Sequence, residues 1–137
     1  MTMDTPTRTA PSPLATQRDE RRRLDDRIPF RLMLAVVALW AASLYVVFSL
    51  APAPTTEDPS TAAVLVGLGF EVTLLATIAG LAILRRWGLL ASAAGGVVFL
   101  IGAGLCSLGG HTGGWLVAQY VTGATILGVS QAAFRRF

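Results

Sequence analysis

From Thr61 to Leu84 the chain reads TAAVLVGLGFEVTLLATIAGLAIL, an apolar run closed by Arg85 and Arg86 and holding one ionisable residue, Glu71. No other feature constrains the fold as much. A hydrocarbon core of about 30 Å needs about 20 helical residues to cross it, and this run supplies them. Three further apolar stretches approach or exceed the same length. A soluble chain of 137 residues has no interior that could hide four such runs. Composition agrees, with 53% hydrophobic and only 14% charged residues. The sequence therefore predicts an all-α integral membrane protein, a four-helix transmembrane bundle with spans at about 31–51, 61–84, 88–108 and 115–134.

The charges set the expected topology. All 11 basic residues are arginine, and every one lies outside the apolar spans. They precede span one, separate spans two and three, and follow span four. The other two loops carry Glu57, Asp58 and His111 and no arginine. By the positive-inside rule the bundle runs up-down-up-down in the plasma or inner membrane with both termini cytoplasmic. A net charge of +3 would also suit nucleic acid. Arginines gathered at span ends answer to topology instead, so no nucleic-acid partner is expected.

Residues 1–15, rich in Thr and Pro, read as a disordered cytoplasmic tail. Residues 16–28 read as a short charged juxtamembrane helix, with Asp19 and Arg23, Arg21 and Asp25, and Arg22 and Asp26 paired four apart. Arg18, Arg21, Arg22, Arg23 and Arg27 would dock there on anionic lipid headgroups or on a partner. The rest of the chain, 29–137, forms the four-span domain. Span one is expected to remain as a permanent helix and not to be cleaved as a signal peptide, because Pro52 and Pro54 occupy its exit. On it, Ala38, Ala41, Ala42, Tyr45 and Ser49 share one face and should pack inward, leaving Trp40 to lipid. On span three, Ala91, Gly95, Gly102 and Cys106 form a small-residue packing groove. Span four offers Gln119, Gly123, Ile126 and Ser130 on one mildly polar stripe.

Counting 1.5 Å per residue from the nearest arginines puts Glu71 and Tyr45 roughly 21 Å up, with Gly102, Gln119 and Tyr120 near the same level. This predicts one polar layer in the outer half of the bilayer. A carboxylate at such depth is protonated, paired or wetted, because an unpaired one costs a few kcal/mol or more. Three roles for Glu71 follow: a proton- or cation-exchanging group on a transport path, a hydrogen-bonded lock between helices, or a contact to a partner subunit. The helical wheel favours neither inward role outright, since Gly69, Thr73, Ala76 and Gly80 form the small face of span two and Glu71 lies roughly opposite.

Enzyme signals are missing: the sequence has no HExxH, P-loop or plausible Ser–His–Asp set, and no cofactor is expected. The one cysteine, Cys106, allows no internal disulfide, and the one histidine, His111, makes no metal site by itself. Four spans with an embedded Glu are similar in layout to small multidrug transporters, whose essential carboxyl lies in the first span. Here it lies in the second. The arginine–aromatic ending at Arg85–Trp87 resembles short four-span proteins of polysaccharide-modification systems, whose longer middle loop this chain lacks. Neither likeness assigns a family. The expected function is a non-catalytic accessory or assembly subunit of a larger membrane complex, partnered by other membrane-protein subunits or by copies of itself. The alternative is a small oligomeric proton- or cation-coupled transporter or channel using Glu71.

Overall fold

A computed structural model describes residues 27–52 and 60–136. Among them are four helices: α1 (Phe30–Leu50), α2 (Thr61–Ala82), α3 (Trp87–Leu108) and α4 (Gly114–Arg136). The first three are long and apolar enough to cross a membrane. The fourth, 23 residues, is as long as the others. Gln119, Thr122, Thr125, Ser130 and Gln131 dilute its apolarity, so of the four expected spans three meet that standard among the described residues. The tail at 1–15 and the arginines at Arg18, Arg21, Arg22 and Arg23 lie outside the described residues. The described end of the expected juxtamembrane helix is extended instead. Arg27 forms an isolated antiparallel bridge with Arg85, and the Ile28 N–H donates to the Leu84 carbonyl at 2.9 Å. Pro29 then enters α1 from an extended conformation.

The connections decide which helices are neighbours. Ser60 caps α2, its hydroxyl accepting the Ala63 N–H at 3.2 Å. At the other end of α2 the Leu84 N–H reaches the Leu81 carbonyl and the Arg85 N–H reaches the Gly80 carbonyl, both at 2.9 Å, closing a Schellman turn. Leu84 holds φ +54 there, a left-handed conformation that costs a residue with a side chain about 1–2 kcal/mol. Its partly buried side chain packs on the core and offsets that cost. The end of α3 uses the same turn with Gly110 at φ +80, where glycine suffers no such penalty. Both turns fold the chain straight back, so α3 lies antiparallel to α2 on one side and to α4 on the other. Helix α1 packs on α4.

Helix α3 is the packing centre, and glycines let its neighbours approach. A Cβ on Gly80 would meet the Gly88 Cα, with the Gly88 nitrogen at 2.7 Å. A Cβ on Gly96 would fall 2.8 Å from the Leu127 nitrogen and 2.9 Å from the Gly123 carbonyl oxygen. At both places backbone rests on backbone, the contact that small residues permit between membrane helices.

Trp40 corrects the expected orientation of α1. It is 4% exposed, whereas Ala38, Ala41, Ala42, Tyr45 and Ser49 face outward. The inward face is Val36, Trp40, Ser43 and Val47, spaced by three and four residues. A small face packs inward where the helix itself supplies the small surface. Here α3 supplies it: the Trp40 ring seats on Gly95, where an added Cβ would lie 2.8 Å from Trp40 Cη2. Trp40 Nε1–H donates to Ser92 Oγ at 2.9 Å, and Ser92 shares a hydrogen bond with Ser130 at 2.7 Å. One buried chain of polar groups thus links α1, α3 and α4. Phe70 and Phe99 pack on the same ring, their centroids 5.9 and 6.2 Å from that of Trp40.

Arg86 closes the opposite end of α4. Its Nη2 donates to the Phe134 carbonyl at 2.9 Å, and its guanidinium carbon lies 4.8 Å from the Phe134 ring centroid. A cation on a helix C-terminus and over a ring face is favoured twice. Arg86→Ala is therefore expected to cost about 1–2 kcal/mol, read as an earlier unfolding midpoint in detergent. Arg136→Ala, at an exposed position, should leave the midpoint nearly unchanged.

Candidate functional site

Helix α3 serves as a ruler for the expected polar layer. Gly69 of α2 faces Val98, and Thr73 lies 3.4 Å from the Cβ position of Gly95. Glu71, between them, is level with about Val97, the middle of α3. Tyr120 of α4 sits by Gly104 and shares a hydrogen bond with Ser107 at 3.1 Å. By the register of α4 on α3, with Gly123 against Gly96 and Leu100, Gln119 and Tyr120 lie roughly 8 Å beyond Glu71 toward the Gly109–Gly114 end. The expected single layer is split. The reason is the turn at Ile83–Arg86, whose residues add no helical rise, so counting from Arg85 overestimates the height of Glu71. Tyr45 also lies apart, being 75% exposed on the outer side of α1.

Glu71 is exposed, and its carboxyl has no hydrogen-bond or ion-pair partner among the described residues. Val64, Leu68, Leu75 and Ile78 share its face of α2, and all are exposed. The buried residues of α2 are Thr77, Gly80 and Leu81, all in its last turns. Thr73 and Thr77 turn their hydroxyls back to carbonyls of α2 itself, so neither reaches the carboxyl. Helix α2 thus presents most of its length, with one carboxyl at mid-height, to whatever surrounds the protein.

A second feature was not legible in the sequence. A cavity of about 530 Å³ lies between α1, α2 and α3 on the side of the Gly109–Gly114 loop. Phe70 and Phe99 form its floor, in edge contact with centroids 5.0 Å apart. Gly102 and Cys106 of the expected packing groove line its wall, and Gln119 of α4 reaches it from behind. The Gln119 Oε1 is buried and accepts no hydrogen bond. The groove residues therefore divide their work. Gly95 receives Trp40, Gly102 and Cys106 border the cavity, and Ala91 is half-buried nearer the arginine end.

Sequence reasoning missed Ser92, Gly88 and Gly96. The signal available was the pair Gly95–Gly96. Adjacent helical residues point about 100° apart, so two glycines in a row clear space for two different neighbours. Here those neighbours are α1 and α4. Among the described residues no group of three or more His, Cys, Asp or Glu could hold a metal ion. His111 stands in an exposed loop with its ring in edge contact with Trp115. No protein-family model matches the chain, and neither the curated proteins nor the solved structures contain a match to it.

Proposed function

We propose that this chain is a non-catalytic accessory or assembly subunit of a larger membrane complex, held through the outward face of α2. In this reading the helices form a transmembrane bundle running up-down-up-down in the plasma or inner membrane, with both termini cytoplasmic. The distribution of arginines supports that orientation. Arg27, Arg31, Arg85, Arg86, Arg135 and Arg136 lie at one end of the helices, and the opposite end carries none among the described residues. Each arginine near an anionic leaflet contributes about 1 kcal/mol of attraction, so the same end binds lipid headgroups.

The observation that carries the reading is Glu71. On insertion scales an acidic residue at the centre of a span costs about 2.5–3.5 kcal/mol. A carboxyl facing hydrocarbon at that level is tolerated when a neighbour supplies a donor. The described arginines sit at helix ends, so a second copy brings no cation to that level, although its exposed Tyr45 is a hydrogen-bond donor. A partner that pairs the charge is accordingly a helix of different sequence with a basic residue at mid-membrane. The transport alternative needs the carboxyl on a conduction path. With Glu71 outward, such a path would have to run between subunits.

Purification in mild detergent tests the reading. The wild-type chain should bring down another membrane protein in fixed ratio. Glu71→Leu should weaken that association by about a hundredfold or more, since it strands the partner's donor or charge. Glu71→Gln should retain part of it. Purified protein in liposomes should carry no proton-coupled flux. A flux that Glu71→Gln abolishes would overturn the accessory-subunit reading in favour of transport.

A further inference from the structure

We propose that the groove between α3 and α4 at the arginine end binds one anionic phospholipid, with its phosphate on Arg135, its glycerol esters at Gln131 and an acyl chain along Leu90 and Val97. The inference rests on the part of the proposed function that sets the helices across a membrane with the arginines at headgroup level. It needs no partner at Glu71.

Charge is the first support. Arg27, Arg31, Arg85, Arg86, Arg135 and Arg136 lie at this end, and the one acidic residue among those described, Glu71, lies at mid-height on the outward face of α2. Arg135 is exposed and has no hydrogen-bond or ion-pair partner among the described residues. Arg86 is held against the Phe134 ring, its guanidinium carbon 4.8 Å from the centroid, and Phe134 lines the groove. A second positive charge is thus fixed beside it. Basic pockets between membrane helices at the cytoplasmic face suit anionic headgroups. A guanidinium grips phosphate through a two-pronged fork, which fixes position as well as charge.

Shape is the second. A cavity of about 220 Å³ lies between the two helices, lined by Leu90 and Ala93 of α3 and by Gln131, Phe134 and Arg135 of α4. Leu90, Gln131 and Arg135 are exposed, so it opens outward to whatever surrounds the helices. That volume is below the roughly 300–1,000 Å³ of sites that enclose a whole small molecule. It receives one part of a longer molecule, and the rest lies along the outer surface. Val97, 41% exposed, continues the Leu90 face of α3 about 10 Å further from the arginines.

The order of groups along the groove selects the ligand class. Gln131 lies one turn before Arg135 on the same face of α4, about 6 Å further from the arginine end. It is exposed, and its amide makes no hydrogen bond with any described residue. From the arginine end inward, the groove offers a cation, then an uncharged amide, then an apolar wall. A phospholipid presents phosphate, ester carbonyls and acyl chain in that sequence. The amide N–H groups donate to the ester carbonyls, and the guanidinium donates to the phosphate. A fatty acid lacks the middle group and a soluble phosphate lacks the last, so neither fills all three.

The test titrates phosphatidylglycerol into the purified full chain in non-ionic detergent and counts bound lipid by native mass spectrometry. One phosphatidylglycerol should bind saturably. Phosphatidylcholine, whose phosphate carries its own countercharge, should bind at least about tenfold more weakly. Millimolar inorganic phosphate should not compete. Arg135→Gln should weaken phosphatidylglycerol about fivefold to tenfold, and Gln131→Leu about threefold. Arg136→Gln removes the same charge about 100° round the helix, and its loss should be at least about threefold smaller than that of Arg135→Gln. Circular dichroism of the three variants should match the wild type. Phosphatidylcholine binding as tightly, competition by phosphate, or adducts that grow without saturating would each overturn the proposal. So would equal losses from Arg135→Gln and Arg136→Gln, or Gln131→Leu binding as well as the wild type. None of these readouts involves a partner subunit, so failed co-purification through α2 leaves them standing. A chain that stays in solution without detergent would instead overturn the membrane placement itself.

Discussion

Trp40→Ala should lower stability by about 3–5 kcal/mol, the largest loss expected of any side-chain truncation in this chain. The indole is nearly fully buried and touches two other helices, α2 and α3, at once. It seats on Gly95, meets the rings of Phe70 and Phe99, and donates to Ser92. Truncation leaves a void that α1 can close only by tilting, and it removes the support of the cavity floor. Trp40→Phe separates the two kinds of contribution. A ring remains, the N–H is lost, and Ser92 and Ser130 still bond each other. Hydrogen bonds between membrane helices average about 0.6 kcal/mol, so Trp40→Phe should cost far less than Trp40→Ala. Titration with a denaturing detergent, followed by tryptophan-independent far-ultraviolet dichroism, reads both. Equal losses would mean that the polar chain, and not ring packing, holds α1.

Gly96→Leu should come next. Even the Cβ of alanine there meets the Leu127 nitrogen and the Gly123 oxygen at under 3.0 Å, and both are backbone atoms that cannot rotate aside. Gly96→Ala should therefore cost about 1–3 kcal/mol, and Gly96→Leu should separate α4 from α3. Gly128 provides the contrast. A Cβ there meets nothing within 4 Å, so Gly128→Ala should stabilise by about 0.5–1 kcal/mol through helix propensity alone. The same unfolding titration ranks all three. A destabilised Gly128→Ala would show that its face is already covered.

Helices were legible because an apolar run of bilayer length leaves few other folds. Their ends were legible to within a few residues, because prolines, glycines and arginines mark them. Orientation was harder. A wheel shows which residues share a face but not which face is inside, and on α1 the small face turned out to be the outer one. The inward residue was the largest, because the complementary notch, Gly95, belongs to another helix. Height was harder still. Residue counts ignore turns, and discounting the turn residues 83–85 leaves Glu71 roughly 8 Å short of Gln119, about one and a half helical turns. The cavity had no signal at all, since it arises from how far α1 and α2 stand apart. The wheel set Glu71 roughly opposite the small face of α2, and the burial of Thr77, Gly80 and Leu81 near the end of the same helix agrees with that outward position.

That outward carboxyl is where the account is most exposed to test. A photo-crosslinking residue at Leu75, one turn from Glu71 on the same face and 66% exposed, samples whatever covers α2 in the native membrane. One discrete heavier species is expected from Leu75, reproducible in mass and lost when Glu71→Leu is added. Crosslinks only to lipid at Leu75, unchanged by Glu71→Leu, would contradict the assignment of this face to a partner subunit.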